Sequence, residues 1–152
     1  MPAKNVINIL MADDDQDDCY FFERALKKIA IPTKLVSLDD GEQLMDYLVK
    51  NKGKSPDILF LDINMPRKNG YECLHEIKGN KDITDFPVIM YSTSLKDAMA
   101  DMLYQEGAHY YLCKCDFPDL VRHLQNILTL LQDNHLEKPS KERFVLNEIR
   151  PA

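Results

Sequence analysis

The sequence predicts an α/β domain built as a doubly wound parallel sheet, with five strands and five helices. Three observations predict it. Short apolar runs rich in branched residues alternate with stretches of helical period, as βα units closing a parallel sheet require. That alternation repeats five times, with turn residues between the runs. Two of the runs, Val6–Ala12 and Asp57–Leu61, lead directly into acid, Asp13-Asp14-Asp15 and Asp62, and open parallel sheets bind ligands outside the carboxyl ends of their strands.

The elements follow in order. The first strand is Val6–Ala12, and behind it Phe22, Ala25, Leu26 and Ile29 recur at i, i+3, i+4 and i+7, one face of a helix ending before Ile31-Pro32. Asp17 or Asp18 is expected to cap that helix, and Asp15 stays open between capping and chemistry. Lys34–Leu38 is the second strand; Asp39 or Asp40 caps the next helix, which turns Leu44, Met45 and Leu48 inward and stops around Asn51-Lys52-Gly53. Ile58–Leu61 is the third strand, and the turn from Asn64 to Gly70 opens a helix with Cys73, Leu74 and Ile77 inward. The fourth strand, Val88–Tyr91, passes through Ser92-Thr93-Ser94 into a helix with Ala98, Met99, Met102 and Leu103 inward, ended by Gly107 at positive φ. His109–Cys113 is the fifth strand. The last helix opens near Pro118, where proline suits a first turn, and buries Leu120, Leu124, Ile127, Leu128 and Leu131. Residues 5–132 form the domain, and residues 133–152 a polar tail, either mobile or docked through Phe144, Val145 and Leu146 on this domain or on a second copy.

Composition narrows the function classes. The 152 residues suit one domain with its own core, and no second catalytic or DNA-reading domain is expected beside it. Net charge of −6 argues against nucleic acid as the main partner, since phosphate binding needs a basic face. Four cysteines without a signal-like amino terminus read as reduced thiols in a cytoplasm. No run approaches the roughly 18 apolar residues of a membrane span.

The residues at the strand ends suggest one shared site. Asp13 and Asp14 follow the first strand, Asp62 the third, Ser92 and Thr93 the fourth, and Lys114 the fifth. Like charges about 4 Å apart repel by roughly 4 kcal/mol at an effective dielectric near 20, so clustered carboxylates need a cation among them. Oxygen ligands favour a hard divalent ion such as Mg2+, with a phosphate beside it. The set suits phosphoryl transfer onto a side chain: Asp14 ligates the metal, Asp13 orients its water, and Asp62 both ligates and attacks phosphorus. Ser92 and Lys114 then hold the phosphoryl oxygens.

The acidic pair Asp13-Asp14, Asp62-Ile-Asn-Met-Pro66 with Gly70, Ser92 and Lys114, in this order and βα spacing, resemble the receiver domain of two-component response regulators. The resemblance covers about Asn5 to Leu131. It implies a flavodoxin-like fold with strand order 2-1-3-4-5. It also implies that a sensor histidine kinase or phosphotransfer protein phosphorylates Asp62 with Mg2+, shifting the chain towards a conformation that a downstream protein target reads. Beyond its own phosphorylation and dephosphorylation, such a domain catalyses nothing. The carbonyl of Asn64 becomes a further metal ligand, Ser92 and Tyr111 the switch pair, and Asn64 and Ser94 the positions that tune phosphate lifetime. Helix 4, strand 5 and helix 5 become the changing face and, with the tail, the surface of a possible homodimer. Length points to the single-domain members, including partners of phytochrome-type kinases.

One position departs from the family pattern: Cys115 follows Lys114, where proline with a cis bond is usual. A cis bond before a non-proline residue costs roughly 2.5–4 kcal/mol, so either the bond is trans and the loop reshaped, or packing sustains the strain. Plainer roles compete at several positions. Asp62 or Ser92 could cap a helix, Lys114 could be a solvated surface lysine, and Tyr110 or Tyr111 could each be core or edge. Cys113 and Cys115 read as packing residues, having no second ligand pair for a metal. Two other functions stay open: a Mg2+-dependent aspartyl-phosphate hydrolase, which would want an acid at Asn64, and a receiver-like scaffold that takes no phosphate.

Overall fold

The computed structural model describes residues 6–83, 85–93 and 97–146. The chain runs β1 (Ile7–Ala12), α1 (Gln16–Lys27), β2 (Thr33–Leu38), α2 (Gly41–Lys50), β3 (Ile58–Leu61) and α3 (Gly70–Gly79). It continues through β4 (Val88–Ser92), α4 (Asp97–Gln105), β5 (Tyr110–Cys113) and α5 (Phe117–Gln132), then a 3-10 turn (Lys141–Arg143) and β6 (Val145–Leu146). The strands form one parallel sheet in the order β2-β1-β3-β4-β5-β6. The expected order is present, but the sheet has six strands rather than five. The sixth comes from the tail. Two residues are too few for a period-2 pattern, and β6 exists because β5 would otherwise leave an unpaired sheet edge.

Strand alternation divides the core in two. Leu10, Leu59, Leu61, Val88, Met90 and Tyr111 face one way, against residues of α2, α3 and α4. Ile9, Met11, Phe60, Ile89, Tyr91 and Leu112 face the other way, against α1 and α5. β3 is buried throughout, so its sequence is a continuous apolar run and not an alternating one.

Some local expectations are corrected and others are met. Asp15, not Asp17 or Asp18, caps α1, accepting from both of their backbone N–H groups. Asp40 caps α2. In α4 only Leu103 is buried; Ala98 and Met102 face solvent. Gly107 does end that region at φ +105. The described part of the tail is docked on this chain, with Phe144 only 1% exposed. Ser94 and Ile149 lie outside the described residues.

The ladder brings the strand ends level with one another. Asp13 N–H donates to Leu38 C=O at 3.0 Å, Asp62 N–H to Ala12 C=O at 2.9 Å and Lys114 N–H to Ser92 C=O at 2.8 Å. Each candidate side chain thus leaves the sheet in the first residues beyond, or at the end of, its strand. Gly70, at the start of α3, packs so tightly on the loop after β3 that a Cβ there would stand 2.2 Å from Asp62 O. Only glycine lets α3 approach the backbone of Asp62 this closely.

Candidate functional site

Asp13, Asp14 and Asp62 meet: one carboxylate oxygen from each lies within 4.8 Å of the others. Asp13 and Asp62 are buried, while Asp14 is exposed at the mouth of the cluster. The backbone presents them. Asp15 N–H donates to Asp13 Oδ1 at 3.0 Å, and Asn64 N–H approaches Asp62 Oδ1 at 3.4 Å. A cleft of about 480 Å3 opens over the cluster, lined among others by Asp14, Asp18, Asn64, Thr93 and Lys114. Convergent hard oxygen donors at an open cleft fit a divalent cation of the Mg2+ or Mn2+ kind.

Lys114 supplies the positive charge. Its Nζ lies 2.9 Å from Asp13 Oδ2, 2.7 Å from Asp18 Oδ2 and 3.7 Å from Asp62 Oδ2. It also stands 5.3 Å from the centroid of the Tyr91 ring. Burial alone would lower the lysine's pKa, but its bonds to Asp13 and Asp18, with the charge of Asp62, raise it. Lys114 is therefore a fixed cation. Asp62 responds in the opposite sense: burial, then repulsion from Asp13, push its pKa from 3.8 up to about 6 against the pull of Lys114 and Ser92.

Ser92 is buried at the end of β4. Its Oγ makes no well-formed hydrogen bond. Burial raises the pKa of both Asp62 and Tyr111, and the nearby Ser92 hydroxyl offsets a part of each rise. Tyr111 is fully buried on the α4 side of the sheet, whereas Tyr110 lies half-buried on the α5 side. The two alternate as neighbouring strand residues must.

All peptide bonds among the described residues are trans, Lys114–Cys115 included, so the loop is the reshaped alternative. Cys113 packs with one core cluster and Cys115 with the other, and neither forms a disulfide. Asp18 is the site residue that reading the sequence missed. A signal for it exists: it stands in the first turn of α1, four residues after Asp14.

The family model for the response regulator receiver domain matches residues 9–125. The chain belongs to that family. Its relatives agree: the response regulator Rcp1 of Synechocystis sp. is 32% identical over 124 residues, covering 78% of this receiver and 84% of Rcp1. Among solved structures, the phosphorylated cyanobacterial phytochrome response regulator RcpA is 26% identical with a TM-score of 0.75, over 84% of this receiver and 95% of RcpA. The Mn2+-bound form of Rcp1 is 28% identical with a TM-score of 0.73, over 91% of this receiver and all of the solved chain (100%). A protein-glutamate methylesterase of Vibrio cholerae is 29% identical, but this receiver spans only 37% of its length. No helix among the described residues is long and apolar enough to cross a membrane.

Proposed function

We propose that this receiver is a phosphorylation-dependent switch of a two-component system. Asp62 accepts a phosphoryl group from a sensor histidine kinase or phosphotransfer protein, with Mg2+ in the acidic cluster, and a downstream protein reads the result. One observation carries the reading: a buried carboxylate, Asp62, shares its cluster with Asp13 and Asp14 while Lys114 Nζ stands 3.7 Å away. The receiver domain proper is residues 5–132, and residues 133–152 follow as a tail whose described part adds β6 to the sheet.

Asp13, Asp14, Asp62 and the carbonyl of Asn64 would hold the cation. When bound, a hard dication neutralises carboxylate charge and draws an incoming phosphoryl group to the cleft. An Asp62 oxygen attacks phosphorus as the bond from phosphorus to the donor's imidazole nitrogen breaks, and that electron pair stays on the imidazole. Ser92 donates its hydroxyl hydrogen to one phosphoryl oxygen. Lys114, exchanging its bond to Asp13 or Asp18, pairs with another. Moving a two-state equilibrium from 1:99 to 99:1 takes about 5.5 kcal/mol of differential stabilisation, and these new bonds are its source.

Acetyl phosphate with Mg2+ is expected to label the wild-type chain on one residue, and Asp62→Asn to remain unlabelled. Continued labelling of that variant would take Asp62 out of its assigned role. Failure of the wild type to bind beryllofluoride in the presence of Mg2+ would favour the scaffold, and turnover of small phosphate esters the hydrolase.

A further inference from the structure

Residues 138–146 lie along the face made by α4 and β5, held by contacts of several kinds. Lys138 Nζ stands 4.1 Å over the Tyr104 ring, and the Tyr104 hydroxyl donates to the Pro139 carbonyl at 2.9 Å. Lys141 Nζ lies 2.9 Å from Asp101 Oδ1. Phe144 packs edge-on to Tyr104, with ring centroids 5.3 Å apart. Val145 and Leu146 then pair with Tyr111 and Leu112 in parallel register.

This segment reaches the switch residue directly. The Tyr111 N–H donates at 2.9 Å to the Phe144 carbonyl. Phe144 and the Tyr111 side chain belong to one buried cluster with Met90 and Leu103. On the other side β5 pairs with β4 and β4 with β3, so that Tyr111 stands opposite Met90 and Met90 opposite Leu61, the residue before Asp62. A continuous line of contacts therefore joins the tail to the proposed phosphoryl acceptor.

We propose that residues 138–146 are an internal strap and that Phe144 is a positioning residue, keeping Tyr111 buried in the arrangement that phosphoryl binding at Asp62 requires. The proposal rests on the reading of Asp62 given above. With the strap undocked, Tyr111 lies on a free sheet edge and its side chain can turn towards solvent. The competent fraction then falls, and apparent affinity for a phosphoryl mimic falls by the same factor. Coupling is reciprocal, so the mimic in turn tightens the strap.

The experiment uses the full chain, following amide hydrogen exchange by NMR and measuring binding of Mg2+ alone and of beryllofluoride with Mg2+. In Phe144→Ala, exchange of the Tyr111 amide should speed up at least about tenfold and beryllofluoride affinity should fall about three- to tenfold, the competent fraction setting both. Affinity for Mg2+ alone should stay within about twofold, since the acidic cluster does not touch the strap. In the wild type, beryllofluoride should slow Tyr111 exchange. If Phe144→Ala does not fold, Tyr104→Phe, which removes only the bond to Pro139, should give the same pattern at smaller amplitude.

Unchanged Tyr111 exchange and unchanged beryllofluoride affinity in a folded variant would overturn the proposal. So would equal losses for Mg2+ alone and for beryllofluoride, which would mean general softening. A dimer whose Tyr111 protection disappears on dilution would assign the strap to a second copy and overturn the internal one. Absence of beryllofluoride binding in the wild type would instead reject the reading of Asp62, with the exchange data still deciding whether the strap docks.

Discussion

The acidic rim and the strap are held in place by opposite physics. At the rim, Asp13 and Asp62 are buried together and Lys114 is shared among Asp13, Asp18 and Asp62. At the strap, Phe144 is buried among apolar side chains and Tyr104 covers it edge-on. The rim stores repulsion that the fold must offset, whereas the strap adds burial that stabilises the fold. The proposed chemistry therefore falls where the chain is electrostatically uncomfortable, and the α4–β5 face is organised by burial.

Four substitutions break or sharpen this contrast. The largest stability effect is expected at Phe144: Phe144→Ala should cost about 3–5 kcal/mol in urea unfolding, as buried aromatic truncations do. A loss well under 1 kcal/mol would mean the strap barely contributes.

Asp62→Asn should act in the opposite direction. The folded chain raises the carboxyl from 3.8 to about 6, so it binds the proton more tightly than the unfolded chain between those values. The stability this contributes is present below about 3.8 and lost as pH rises through about 6. In metal-free buffer near neutral pH the variant should therefore be more stable by up to about 3 kcal/mol, and the gain should vanish below about pH 4. A destabilised variant at neutral pH would show that Lys114 more than offsets the repulsion.

Asp18→Asn removes one of the two short partners of Lys114 and should cost about 1 kcal/mol, discounted because Asp18 is partly exposed. Chemical-shift titration of Lys114 should also show a lower pKa than in the wild type. An unchanged lysine would make Asp18 a bystander. Tyr104→Phe should cost about 0.5–1.5 kcal/mol, the net worth of one hydrogen bond, with labelling of Asp62 still possible.

The parts legible in the sequence were those with local causes. Phe22, Ala25, Leu26 and Ile29 recur at helical spacing, and all four are buried. Gly107 follows the last turn of α4 and takes positive φ. Asp13, Asp14 and Asp62 each follow an apolar run, and the sheet carries them to one place. Met102 and Ala98 misled, because α4 presents a narrow buried face centred on Leu103 and leaves its flanks to solvent. Asp15 was ambiguous because any of several neighbouring acids could cap α1, and only the backbone angles at that turn decide among them.

By itself the sequence determined the βα alternation, the strand order implied by family likeness, and the acids that would share a site, because apolar period and turn chemistry act over a few residues. Tertiary structure decided that Lys114 takes Asp18 as a partner 96 residues away, and that Phe144 seals β5. Those contacts depend on where the assembled open sheet leaves a free edge and a bare charge. No stretch of neighbouring residues contains that information.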